Sequence, residues 1–269
     1  MNTLRLALAF LRRDLRIEAS YRANAAFGLV GGFAMLMTFY FVGATVGDGV
    51  PALARFGGDY FAFAVVGVAA TGPLHAALVE LSRRVREAQV SGTLEAVLAT
   101  PVSPARVIVF SALYPLAASC LKMTLLLAGG VWVFGLPLAG AGIPTALLAL
   151  ALALAAYGAL GLLSAAFTLR FQKGDPVAFM LDMIFVLLGG VFYPVEVLPA
   201  PLRAVSRLLP STHALEALRK TLLGGAGPAE VAGSLASLAL FALVAAPLAW
   251  LAFRRAIRRA KDDGSLTHF

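Results

Sequence analysis

Cysteine is almost missing from this chain of 269 residues. Cys120 stands alone, which excludes a disulfide within the chain and a cysteine-based metal site. Histidine occurs only as His75, His213 and His268, too scattered for a metal cluster. Charge is scarce as well: 13% of the residues are charged and 60% are hydrophobic, against about 25% charged in an average soluble domain. No G-x-x-x-x-G-K-[ST] phosphate loop occurs, so the chain cannot grip a nucleotide in that way. A G-x-S-x-G elbow and an H-E-x-x-H helix are absent too, and with them the clustered nucleophile or metal set of an intramembrane enzyme.

What the chain has instead is long apolar runs. Six segments, 23–46, 60–81, 107–135, 143–169, 176–193 and 231–253, are candidates to cross about 30 Å of hydrocarbon as helices of roughly 20 residues. The fifth is the shortest and carries Asp182. Every backbone polar group inside lipid must be satisfied within the helix, so the expected fold is all-α, one transmembrane unit over residues 1–269. Sixteen of the 22 Lys and Arg fall at the N-terminus, in the second and fourth loops and in the tail, and five fall on the other side. This bias predicts both termini in the cytoplasm. The net charge of +8 then reads as basic residues beside anionic lipid headgroups, with no nucleic-acid partner required. Arg exceeds Lys eighteen to four, a codon signature of a GC-rich bacterial genome.

Residues 1–22 place Leu4, Leu8, Leu11 and Leu15 at spacings of four, three and four, with Arg5, Arg12, Arg13 and Arg16 on another side. The spacing predicts an amphipathic helix lying in the membrane interface. In the cytoplasmic segment 82–106, the second span is expected to continue as a polar helix through Arg83, Arg84, Arg86 and Glu87 and to break near Ser91 and Gly92. A short helix should restart with Gly92 as N-cap and Glu95 in its first turn, and Pro101 should stop it. Leu94, Val97 and Leu98 give it an apolar face. Chemistry alone allows that face to rest on lipid or to enter a groove on a cytoplasmic partner.

The external stretch 194–230 contains prolines at 194, 199 and 210, which no continuous span tolerates. Leu198, Leu202, Val205 and Leu209 nevertheless share one helical stripe. Short helices that dip into the outer leaflet from outside are expected here. Lys122, Asp182 and His75, with Glu80, are costly in lipid and should face an interior, where His75, Lys122 and Asp182 are candidates for lining a translocation path.

Two motifs carry a resemblance. E-x-x-x-S-G-T-L-E-x-x-L-x-T-P, written by Glu87, Ser91, Gly92, Thr93, Leu94, Glu95, Leu98, Thr100 and Pro101, resembles the coupling segment of ABC-2 transporter permeases. The order F-x-P-x-x-x-L-P, then L-P-x-T/S, then an Arg resembles their external end, matched here by Phe192, Pro194, Leu198, Pro199, Leu208, Pro210, Thr212 and Arg219. The resemblance covers almost the whole chain.

It implies a six-span permease in the bacterial cytoplasmic membrane, paired with a second permease copy, in the usual case an identical one. Two ABC ATPase subunits are implied partners, docked on the loop around residues 92–101. No cofactor is expected on this chain, because ATP and Mg would bind the ATPase. Substrates of such permeases include hydrophobic drugs and natural products, and also lipid-linked polysaccharides. Phe (18) exceeds Tyr plus Trp (8), which leans toward an amphipathic small molecule or lipid, since glycan paths favour stacking aromatics. A membrane scaffold without transport is the remaining alternative.

Overall fold

The computed structural model describes residues 3–20, 22–47, 51–93, 103–171 and 176–262. Among them all regular structure is helical. Helix α1 spans Thr3–Ser20 and α2 spans Arg22–Val46. A 3-10 turn at Pro51–Phe56 leads into α3, Tyr60–Val90, which Asp59 caps by accepting the Phe61 N–H at 2.8 Å. Helices α4 (Pro104–Ser111) and α5 (Leu113–Phe134) are separated only by Ala112. Then follow α6 (Ile143–Phe171), α7 (Pro176–Leu188), α8 (Ala200–Ser206), α9 (Pro210–Gly224) and α10 (Ala232–Asp262).

Among the described residues, four helices are long and apolar enough to cross a membrane: Tyr60–Val90, Ala105–Phe134, Gly140–Phe171 and Ala232–Arg259. Two shorter apolar helices, Val30–Val46 and Pro176–Leu188, accompany them. Among the described residues, the six spans expected from the sequence therefore meet four full-length apolar helices, the 25-residue α2 and the short α7. The fifth segment, expected over 176–193, departs most: α7 ends at Leu188 and the chain turns at Gly189 and Gly190. Gly190 has φ +82°, and a Cβ on Gly189 would overlap the Phe185 carbonyl and Ser211 Oγ. Only glycine fits such a turn without strain.

α3 is the central helix. Its most apolar stretch is 78% buried, whereas that of α10 is 11% buried. A helix apolar all round is a core element when protein surrounds it, and α3 packs against α5, α6, α7 and α9. The outer helices turn large apolar side chains outward: Phe27, Trp132 and Leu243 are all exposed. Patches of that size need lipid or another protein as their solvent.

α3 and α6 cross in close backbone contact. A Cβ added at Gly161 would overlap the carbonyls of Ala77 and Leu78, so small residues let the two backbones meet. At Gly158, one turn away, a Cβ would meet nothing within 4 Å. Gly161→Val is therefore expected to push α3 from α6 and to cost about 1–3 kcal/mol, as overpacking does. Gly158→Ala should not lower stability and should raise it by about 0.5–1 kcal/mol, as Gly to Ala does inside a helix. Thermal melting of the two purified variants in detergent checks the difference.

Candidate functional site

Three groups of predicted residues fall at three levels of the bundle. The first is the polar end of α3. Glu80, Arg83, Arg84 and Glu87 form a ladder on one helix face: Arg83 Nη2 lies 2.7 Å from Glu80 Oε2, Arg83 Nη1 lies 3.0 Å from Glu87 Oε1, and Arg84 Nη1 lies 3.3 Å from Glu87 Oε2. Each exposed pair of this spacing contributes only about 0.3–0.5 kcal/mol. The ladder holds side chains in register more than it stabilises the fold.

The same end is tied to two other helices. Asp14 of α1 is buried and pairs with Arg13 at 2.7 Å, with Arg84 3.9 Å away. Gln89, also buried, donates through Nε2 to the Thr168 carbonyl of α6 at 3.4 Å. Of the apolar stripe on α1, Leu8 and Leu15 remain exposed.

α3 stops where the S-G-T sequence begins. Ser91 Oγ donates to the Glu87 carbonyl at 2.7 Å and lies 2.8 Å from Thr93 Oγ1. Gly92 has φ +65° and its N–H donates to the Gln89 carbonyl at 3.1 Å. Gly92 thus closes α3 in the left-handed conformation that glycine favours after a helix, and Thr93, directly after it, is helical again. Leu94, Glu95, Leu98, Thr100 and Pro101 lie outside the described residues.

At the second level, His75 of α3 and Asp182 of α7 come together, His75 Nδ1 lying 2.9 Å from Asp182 Oδ2. The pair is not sealed in: the His75 side chain is 54% exposed and that of Asp182 is 26% exposed. Thr71, Tyr157 and Ser211 line the small pocket beside it. Lys122 of α5 is exposed and does not join them. The pairing was readable and was missed. His75 lies six residues before Leu81 and Asp182 six residues after Pro176, which at 1.5 Å per residue puts both about 9 Å from the same membrane face.

The third level is built around Arg219, which is 3% exposed. Its Nε donates to the Phe63 carbonyl at 3.0 Å, Nη1 to Gly190 at 2.7 Å and Nη2 to Val191 at 2.7 Å. The guanidinium also lies 3.4 Å from the centroid of the Phe63 ring, a cation–π contact that desolvation strengthens. Burial lowers its pKa below the ordinary guanidinium value, and the nearby Arg55 charge adds to the effect. A Cβ on Gly67 would overlap Arg219 Nη2, so the glycine in mid-α3 is the space this side chain occupies.

The rest of the external motif surrounds this point. Phe192 stacks on Phe39 at 6.2 Å. Pro194 and Pro199 precede the 3-10 turn at Val195–Val197 and α8, and Pro210 opens α9. Thr212 Oγ1 donates to the Ser206 carbonyl at 2.6 Å, and Ser206 Oγ donates to Leu188 at 2.6 Å. Arg203 Nη2 closes the intervening turn on the Glu196 and Leu198 carbonyls at 2.6 and 2.9 Å. The leucine stripe expected here is split, because the prolines redirect the chain between its members. Leu198 is buried, while Leu202, Val205 and neighbouring Leu208 are exposed.

A polar cavity of about 230 Å³ opens at this level, with Arg219, Thr212 and Pro194 in its lining. Arg55 and Glu196 pair at 2.7 Å beside it, as do Glu216 and Lys220 at 2.8 Å. Burial acts to raise the Glu216 pKa, but Lys220, Arg55 and His213 together hold it below the ordinary carboxylate value. Among the described residues, no three His, Cys, Asp or Glu side chains are grouped to hold a metal ion.

A central apolar helix with a polar extension, outward-facing apolar neighbours and a proline-broken segment at one end define an all-helical membrane protein. Residues 10–223 match the ABC-2 type transporter family, and the chain belongs to it. It is similar to the "Probable multidrug ABC transporter permease YbhR" of Escherichia coli (strain K12), 25% identical over 203 residues that cover 74% of this chain and 54% of that protein. The protein of the same name from Escherichia coli O157:H7 matches with the same figures. The chain spans about half the length of the curated relatives it matches.

Arg219 is the anchor of the external end. Arg219→Met removes the donor from three carbonyls at once and is expected to cost about 2 kcal/mol or more. Arg219→Lys should fall between, since an ammonium lacks the planar fork. Melting temperatures of the two variants measure this, and an unchanged value for Arg219→Met would contradict the anchor.

Proposed function

We propose that this chain is the membrane subunit of an ABC exporter of the bacterial cytoplasmic membrane, with both termini in the cytoplasm. A separate ABC ATPase, present in two copies, hydrolyses ATP with Mg, and a second, identical permease completes the path. The observation that carries this reading is the family match across residues 10–223, with the polar extension of α3 leading directly into the S-G-T-L-E segment.

The extension suits a lever. α3 is one helix of 31 residues, about 46 Å long. Its charged end is held by α1 and α6 and stops at the Gly92 turn. A partner docked on residues 92–101 would therefore move the central helix of the bundle. ATP binding closes the two ATPases, brings the two loops together and changes the side to which the path opens.

The full-length helices provide four crossings, and α2 and α7 are read as two more. α2 has 25 residues, about 37 Å. α7 has 13, about 20 Å, and falls short of the hydrocarbon thickness. The turn at 189–199 and α8, packed on protein, take up the remaining depth as a re-entrant element. The exposed Val197, Leu202, Val205 and Leu208 support its contact with lipid.

His75 and Asp182 mark the path. An exposed ionisable pair at this depth is costly against lipid, so its open side is expected to face water or the second copy. Lys122, exposed on α5, is a further candidate. A hydrophobic or amphipathic small molecule is the proposed cargo, in keeping with the multidrug designation of the Escherichia coli relative.

Copurification tests the reading. The tagged permease, expressed with its chromosomal neighbours, should bring down a P-loop ATPase. Reversing the charge at Glu95 removes a charge-assisted contact of about 1.5–3 kcal/mol, so Glu95→Arg should reduce recovery roughly tenfold or more. A folded wild-type permease that brings down no ATPase would overturn it.

A further inference from the structure

The 230 Å³ cavity beside Arg219 has an uneven distribution of charge. Arg55, Arg207 and Arg219 line it on the positive side, Glu196 and Glu216 on the negative. Both carboxylates already have partners, Glu196 with Arg55 and Glu216 with Lys220. Among the described residues, neither Arg207 nor Arg219 has a carboxylate within ion-pair distance. Arg219 spends three of its five N–H donors on carbonyls, which satisfy hydrogen bonds but do not neutralise charge. A buried guanidinium without a counter-charge, facing a polar cavity, attracts an anion. His213 also lines the cavity. Its Nε2 is 2.9 Å from the Arg207 carbonyl, which leaves Nδ1 for another partner.

The backbone adds to the same field. α9 begins at Pro210, has no side-chain cap, and starts beside Thr212 and His213 of the cavity wall. The free N–H groups and positive dipole end of a helix start favour an anion there. Volume and shape narrow the choice. The cavity equals about seven or eight water volumes at roughly 30 Å³ each, roomy for a single halide. The Arg207 fork and the two N–H donors left on Arg219 fit the several oxygens of a phosphate. Outside the cavity, exposed Leu202, Val205 and Leu208 flank Arg207, an apolar surface along which acyl chains could lie.

We propose that this cavity binds a phosphate-bearing group, either a phospholipid headgroup or a free phosphate, between Arg207 and Arg219. The site is separate from the His75–Asp182 pair and from the coupling segment, and it stands whether or not an ATPase docks on residues 92–101.

The test uses the full chain in nanodiscs. In phosphatidylcholine discs, inorganic phosphate is titrated at constant ionic strength and the melting temperature followed. In discs of equimolar phosphatidylcholine and phosphatidylglycerol, lipid retained on the protein is counted by native mass spectrometry. Saturable stabilisation by inorganic phosphate identifies a free phosphate site. Selective retention of phosphatidylglycerol without a phosphate effect identifies a headgroup site. In either case Arg207→Gln, a change at an exposed side chain that should fold normally, is expected to weaken binding about tenfold. Arg258→Gln, at the far end of α10, should have no effect. No saturable binding of either probe, or binding that Arg207→Gln leaves unchanged, overturns the proposal.

Discussion

The end of the bundle opposite the charged tip of α3 depends on one buried cation. α7 ends inside the protein, and a helix that ends there leaves its last carbonyls without partners. Side chains from farther along the chain supply the missing donors. Tyr193 donates to Leu187, Ser206 to Leu188, and Arg219 to Gly190 and Val191. Arg219 also reaches the Phe63 carbonyl of α3, so a single side chain joins the central helix, the end of α7 and α9. Gly67 makes room for it and Gly190 allows the turn. The short α7, the proline-separated helices behind it and the polar cavity all follow from that junction.

The sequence made the all-helical class legible because apolar runs of this length leave the backbone little choice. The stop of α3 at Ser91 and Gly92 was legible for a local reason: Gly92 takes a conformation other residues avoid. The prolines at 194, 199 and 210 marked element starts just as accurately. What could not be read were contacts between distant segments. Arg219 counted in the sequence as one more external positive charge, and its motif position said nothing of three carbonyls 28 to 156 residues away. The early end of α7 was hidden too, since Gly189 and Gly190 continue an apolar run that hydropathy alone extends to Tyr193. The His75–Asp182 pair needed only a count of residues from the membrane face.

Function follows from the continuity of α3. One end of this helix receives Arg219 at Phe63, its middle carries His75, and its other end carries the Glu80 to Glu87 ladder. On the proposed reading, force applied at the Gly92 turn reaches the ion-bearing level and the Arg219 junction along one continuous helix, whose hydrogen-bond ladder is interrupted at Pro73. The contacts of Asp14 and Gln89 at the polar end hold α1 and α6 to it, so those helices would move with it. On the same reading the cavity would respond to that motion, because Arg219 is part of its wall.

Contact between the polar end of α3 and a nucleotide-hydrolysing partner is the central claim. A photo-crosslinking residue at Val90, exposed at the end of α3, tests it most directly when the chain is expressed with its chromosomal neighbours. A crosslinked product containing a P-loop ATPase is expected from position 90 and none from position 208, where Leu208 is exposed at the opposite end. Crosslinking to such an ATPase from position 208, or from neither position while the permease is folded in the membrane, would contradict it.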